Sequence, residues 1–159
     1  MISDRQQAYL DAIGIEVWSL RKNAAPPTAL SPHESNAAPG LRLSAGSGGI
    51  LLICAVDVES ASRLANDISR ALGSAPVWSW PVDEPTAVKL SAAVDENLFT
   101  TVAIFGRDLA ARFFEAELPA SLNSASLVML PSMQELESQP QARKSLWTTF
   151  CKSGMVNRN

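Results

Sequence analysis

The chain has 159 residues, enough for one domain with an ordinary core. It carries 13 Lys and Arg against 16 Asp and Glu, a net charge of −3, and no run of five residues is predominantly basic. That balance disfavours direct nucleic-acid binding through a basic patch. The longest apolar run is far short of a membrane span and no secretory leader is visible, so the expectation is a soluble, cytoplasmic protein.

The first element is short. Ser3 and Gln6 have the spacing of a capping box, and Tyr9, Leu10 and Ile13 then share one helical face up to Gly14, a natural C-cap. Such a helix, about ten residues long, is marginal in water on its own. It runs into GIEVWSLR, residues 14–21, an apolar cluster on what reads as a detachable arm. Exposed apolar clusters are a liability unless something covers them, here either the chain's own core or another protein. Residues 23–48 hold four prolines among Ala, Ser and Gly, with no helical period and one brief alternation at LRLS. This stretch reads as a flexible linker, with Leu41 and Leu43 near enough to touch the globular part.

The globular part, residues 49–159, alternates strands with helices. ILLICAV (50–56) is a continuous apolar run that fits a strand buried on both faces. A helix over 60–72 places Ala61, Leu64, Ala65, Ile68 and Leu72 at helical spacing and ends at Gly73. VWSW (77–80) is a second strand, 86–94 a short helix or turn, TTVAIF (100–105) a third strand, 108–114 a helix and SLVMLP (126–131) a fourth strand. Ser132 and Glu135 form another capping-box signature, and Pro140 fits the first turn of a last helix with Leu146, Trp147, Phe150 and Cys151 on its apolar side. The pattern predicts a small, mostly parallel four-stranded α/β sheet with helices on both faces.

Ligands of open parallel sheets sit beyond the carboxyl ends of the strands. Asp57, Glu59, Trp80, Asp83, Gly106, Arg107, Asp108, Ser132 and Gln134 fall there. An enzyme reading pairs Asp57 with Asp108 or Arg107. The simpler reading has such residues capping the helices that follow. AGSGG (45–49) precedes its strand and lacks the GK[ST] ending, the wrong order for a phosphate loop. His33, the single histidine, lies in the linker with no rigid neighbour to orient it as a base or ligand. Cys54 and Cys151 are too far apart for a CxxC site, and Cys54 reads as a buried free thiol. The reading therefore contains no catalytic residue, no cofactor and no metal site. The surplus is aromatic: Trp78, Trp80 and Trp147 belong either to the core or to a partner surface.

The two ends carry a resemblance. Ile13, Gly14, Ile15, Trp18, Ser19, Leu20 and Arg21 match the opening of the psi subunit family of the bacterial DNA polymerase III holoenzyme, where a short helix leads into an Ile-Gly-Ile step and a Trp-Ser-Leu-Arg segment. Pro131, Leu136, Pro140, Ala142, Arg143, Leu146 and Trp147 resemble that family's ending, a strand exit, a helix and an Ala-Arg-x-x-Leu-Trp helix. Between them the order of elements agrees in pattern only.

The resemblance implies a non-catalytic connector in DNA replication with a fold similar to that of uracil-DNA glycosylases. Residues 1–22 would bind the collar of the clamp loader, its tau/gamma subunits, through Ile15, Trp18, Leu20 and Arg21. The domain 49–159 would pair with the chi subunit and reach single-stranded DNA-binding protein through it. For the chi surface the alanine-rich helix offers Ala61, Leu64, Ala65 and Ile68, since small residues permit close packing. Two other classes stand beside this one: a small α/β enzyme, which needs Asp57 or Asp108 in a polar pocket, and an unrelated adaptor.

Overall fold

A computed structural model describes residues 38–115 and 117–156. Its centre is one sheet in the order β1-β3-β2-β4-β6-β5. The strands are β1 (Gly40–Leu43), β2 (Ile50–Ile53), β3 (Val77–Val82), β4 (Thr101–Phe105), β5 (Ser121–Leu122) and β6 (Ala125–Leu130). Strands β3, β2, β4 and β6 run parallel to one another, while β1 pairs antiparallel with β3 and β5 antiparallel with β6.

This overturns the expected four-stranded, mostly parallel, uracil-DNA-glycosylase-like sheet: the sheet has six strands and mixed topology. The physical reason lies at its edges. A four-stranded sheet would expose the unpaired backbone of β3 and β6. Strand β1 covers the first edge with the LRL alternation of a stretch otherwise read as linker, and Leu41 is buried. Its own outer edge is partly closed by Val88, whose N–H and C=O exchange hydrogen bonds of 3.0 and 2.8 Å with Leu41. The second edge is covered by the two-residue β5, joined to β6 through a tight turn with Asn123 at φ 53°.

Six helices accompany the sheet among the described residues: α1 (Asp57–Ser60), α2 (Arg63–Ala71), α3 (Leu90–Asn97), α4 (Arg107–Phe113), α5 (Met133–Ser138) and α6 (Pro140–Lys152). Side chains on a strand alternate between faces, and β2 shows it residue by residue. Leu51 and Ile53 enter a core with Leu90 and Val94 of α3 and Leu109 and Phe113 of α4. Leu52 and Cys54 enter the opposite core with Ala65 and Ile68 of α2, Leu136 of α5 and Leu146 and Phe150 of α6. Full burial of each large side chain is worth about 1.5–3 kcal/mol.

The helix expected over 60–72 starts only at Arg63, as α2, and Ser60 closes the separate one-turn α1. Ser62 interrupts it, because its hydroxyl accepts the Ala65 N–H at 3.1 Å and caps α2 afresh. The short helix expected over 86–94 starts later, at Leu90, because Val88 is engaged with β1. Trp78 lies in the second core, stacked on Phe105 with centroids 5.6 Å apart, and its indole N–H donates to Ser69 Oγ at 3.0 Å. Helix α5 opens on the capping box read from sequence: Ser132 Oγ accepts the Glu135 N–H at 3.2 Å and Glu135 Oε2 accepts the Ser132 N–H at 2.9 Å. Its last carbonyls are held by Arg143 of α6, which donates to Leu136 O at 2.6 Å and Glu137 O at 2.8 Å.

Removing that cap has a measurable cost. Ser132→Ala leaves the first amides of α5 without their side-chain acceptor and should lower folding stability by about 1 kcal/mol. Ser132→Thr should retain most of it. Urea unfolding of the variants checks this through a lower midpoint at unchanged slope for Ser132→Ala.

Candidate functional site

The carboxyl ends of β2, β3, β4 and β6 are where this architecture places ligands, and each polar side chain there can be traced. Beyond β2, Glu59 Oε2 accepts the Ala55 N–H at 2.9 Å and Asp57 Oδ1 accepts the Val58 N–H at 2.8 Å. Both carboxylates are thus bound to the backbone of their own turn. Beyond β4, Gly106 takes φ 101°, a conformation that favours glycine, and an added Cβ would come within 3.3 Å of the Ser132 side chain. Its N–H donates to Leu130 O at 2.9 Å, which ties the ends of β4 and β6 together. Arg107 and Asp108 open α4 as exposed residues, and no ion pair joins Arg107 to Asp57. Ser132 is occupied by its capping box, and Gln134 is exposed on α5. Of these residues Ser132 caps the helix that follows it, whereas the helices after β2 and β4 open without a side-chain cap.

Trp80 is half-buried and packs against the second core. Asp83 lines an open cleft of about 480 Å³ beside β1, with Glu84, Lys89 and Arg112 around it. Glu84 pairs there with Arg42 at 3.6 Å, an exposed contact worth little. Among the described residues no three His, Cys, Asp or Glu side chains converge as metal ligands. Likewise, no helix among them is long and apolar enough to cross a membrane.

Cys54 sits at the end of β2 with no exposed surface. Its thiol donates to Val56 O at 3.2 Å and lies 3.4 Å from Ser79 O. Burial, with a smaller push from the Glu59 carboxylate, raises its pKa from 9.0 to about 12. A thiol so protonated is a poor nucleophile.

The residues chosen for partner binding divide. Ile15, Trp18, Leu20 and Arg21 lie outside the described residues, as do His33 and the first capping box. On the alanine-rich helix, Ala65 and Ile68 are buried in the second core, so they hold α2 to the sheet and offer nothing to a partner. Leu64 is half-buried against that core, and Ala61 is exposed between α1 and α2. Small residues at helical spacing here mark the face packed on the chain's own sheet. Among the described tryptophans the most exposed is Trp147 of α6, at 49 %. The sequence reading puts Trp147 on the apolar side of this helix; the buried face is instead Ala142, Leu146 and Phe150, every fourth residue, and Trp147 flanks it.

The family model described as DNA polymerase III psi subunit matches residues 3–152. The chain belongs to this psi subunit family. No curated protein and no solved structure matches it. As a psi-family member the chain is a non-catalytic connector within the DNA polymerase III holoenzyme, a clamp-loader accessory in DNA replication. Polymerase and nucleotidyltransferase activity belong to the holoenzyme and not to this chain. The match spans the arm segment at 5–21 and the Ala-Arg-x-x-Leu-Trp helix at 142–147, the two places where the sequence resembles the family.

The two cysteines should differ sharply toward a thiol reagent. In the native protein near pH 8, half-buried Cys151 should be modified first and Cys54 only on unfolding. The folded pKa of Cys54 lies above its unfolded value. Its contribution to stability is therefore complete below about pH 9 and is lost as pH rises toward about 12. Counting modified thiols by mass spectrometry checks the order. Equal rates at both sites would contradict the burial of Cys54.

Proposed function

We propose that the chain bridges two assemblies at the replication fork by two separate surfaces. The arm, residues 1–22, docks on the clamp-loader collar formed by the tau/gamma subunits. The globular domain pairs with chi, and through chi the chain is linked to single-stranded DNA-binding protein. The linker assigned to residues 23–48 gives slack between the two, although Gly40–Leu43 within it form β1.

The observation that carries this reading is the extent of the family match, which runs from the arm through the last helix and so takes in both proposed surfaces. The chemistry of the arm supports it. Trp18 supplies a large apolar surface with one N–H donor, and Ile15 and Leu20 extend it. Arg21 offers a fork of donors to a carboxylate or to backbone carbonyls. Tethering two binding surfaces raises the effective concentration of the second partner once the first is held. The excess of acidic residues agrees with little direct contact to nucleic acid.

Trp18→Ala tests the arm. Truncating an aromatic anchor costs roughly 2–4 kcal/mol, and each 1.4 kcal/mol is about tenfold. Binding to the purified clamp loader should weaken about 30-fold to 1,000-fold, with the melting temperature and chi pairing unchanged. Unchanged affinity with a lowered melting temperature would place Trp18 in the chain's own core and reject the arm as the docking element.

A further inference from the structure

The described part of the chain begins at a cleft. Ala38, Pro39 and Gly40 form one side of the opening of about 480 Å³ beside β1, and Ala87, Lys89 and Arg112 are among the residues opposite. This entry point is fixed. Ala38 is half-buried against the core that holds Leu51 and Ile53, and the Pro39 ring disfavours a helical backbone at Ala38. Gly40 passes so close to Ala87 that an added Cβ would collide with the Ala87 methyl group. Gly40 also pairs with Val82, the last residue of β3, and Leu41 bridges to Val88. The chain upstream of Ala38 therefore leaves from the cleft itself, at the carboxyl end of β3.

Charge in the cleft is unbalanced. Its ionic side chains are Asp83, Glu84, Lys89 and Arg112. Glu84 is already paired with Arg42 at 3.6 Å. Lys89 and Arg112 are both exposed, and among the described residues no carboxylate lies within ion-pair distance of either. Set against Asp83 alone, they leave one positive charge in excess. Lys89 is also the N-cap residue of α3, whose first turn holds no acid, and a carboxylate near a helix start is favoured by the helix dipole.

The sequence puts one carboxylate within reach. Between Lys22 and Arg42 the only acidic residue is Glu34. The four residues from Glu34 to Ala38 span at most about 13–14 Å, and a cube of the cleft's volume has an edge of roughly 8 Å. We propose that residues 33–37 of the chain itself occupy this cleft, with the Glu34 carboxylate held between Lys89 and Arg112, so that the linker is latched to the domain just before β1. Connectivity selects this occupant. A segment attached at the cleft wall is at a far higher local concentration than a free partner, so surface ion pairs that are weak between separate molecules suffice to seat it. The latch fixes where the arm departs, and it leaves residues 23–33 as the free tether, spanning at most about 36–40 Å. It does not depend on which partner the arm meets.

The test measures ¹⁵N heteronuclear relaxation of the full chain at low salt. It compares wild type with Glu34→Gln, with the double variant Lys89→Gln/Arg112→Gln, and with the reciprocal swap Glu34→Lys/Lys89→Glu/Arg112→Glu. In wild type the amides of residues 33–37 should be nearly as ordered as those of β1. Glu34→Gln and the double variant should each lower that order toward the level of residues 23–31, and the swap should restore most of it. Raising the salt should release the wild-type segment. Unchanged amide shifts across β1 and β3 show that each variant stays folded. Equal mobility of residues 33–37 and 23–31 in wild type would overturn the latch, as would order at 33–37 that all the variants keep. Order that grows with protein concentration would assign the cleft to a second copy and overturn it as well.

Discussion

Strand β2 must be covered on both faces at once, and most of the architecture follows from that requirement. Its four residues and the Cys54 beyond them send alternate side chains into two separate cores. A strand in that position needs parallel neighbours on either side, and parallel neighbours need helical crossovers. Helices α3 and α4 close one face, and α2, α5 and α6 close the other. Large apolar side chains are mostly consumed by these two cores. Among the described residues few remain exposed, and Trp147 is the one aromatic among them.

The same constraint governs the strand ends. A strand that stops inside a two-faced core delivers its chain to a helix whose first amides need acceptors. Asp57 and Ser132 accept such amides, from Val58 and Glu135, while Glu59 and Glu135 accept the N–H groups of Ala55 and Ser132 just before their helices, all at 2.8–3.2 Å. A carboxylate bound in this way holds a turn in place and is not poised for proton transfer. Of the polar residues that invite an enzyme reading, Asp57, Glu59 and Ser132 are thus engaged by the backbone of their own turns, and Arg107 and Asp108 are exposed at the start of α4. This agrees with the role of the psi family, where the chain joins other subunits and the chemistry is done elsewhere.

Periodicity made the buried side of each element legible. It located the four central strands, the capping box at Ser132 and the last helix starting at Pro140. It did not reveal what lies against that side. Ala65 and Ile68 show the consequence, since the spacing that packs a helix on a partner also packs it on its own sheet. Edge strands were the other gap. The residues of β1 sit in a stretch rich in Pro and Gly, where an LRL alternation carries little weight, and β5 is two residues whose pairing depends on the turn at Asn123. The break between α1 and α2 turned on a single serine competing for an amide, a local hydrogen bond that apolar spacing does not register. Strand order, with β2 between β3 and β4, follows from no local signal.

The central claim is that one chain carries two independent surfaces, and capture across it tests this most directly. Chi is immobilised and the clamp loader passed over it, with and without the full chain. The account predicts that the clamp loader is retained only when the chain is present, and that an excess of free arm peptide spanning residues 1–22 releases it while leaving the chain on chi. Equal retention in the absence of the chain, or release of the chain and the clamp loader together by the peptide, would contradict it.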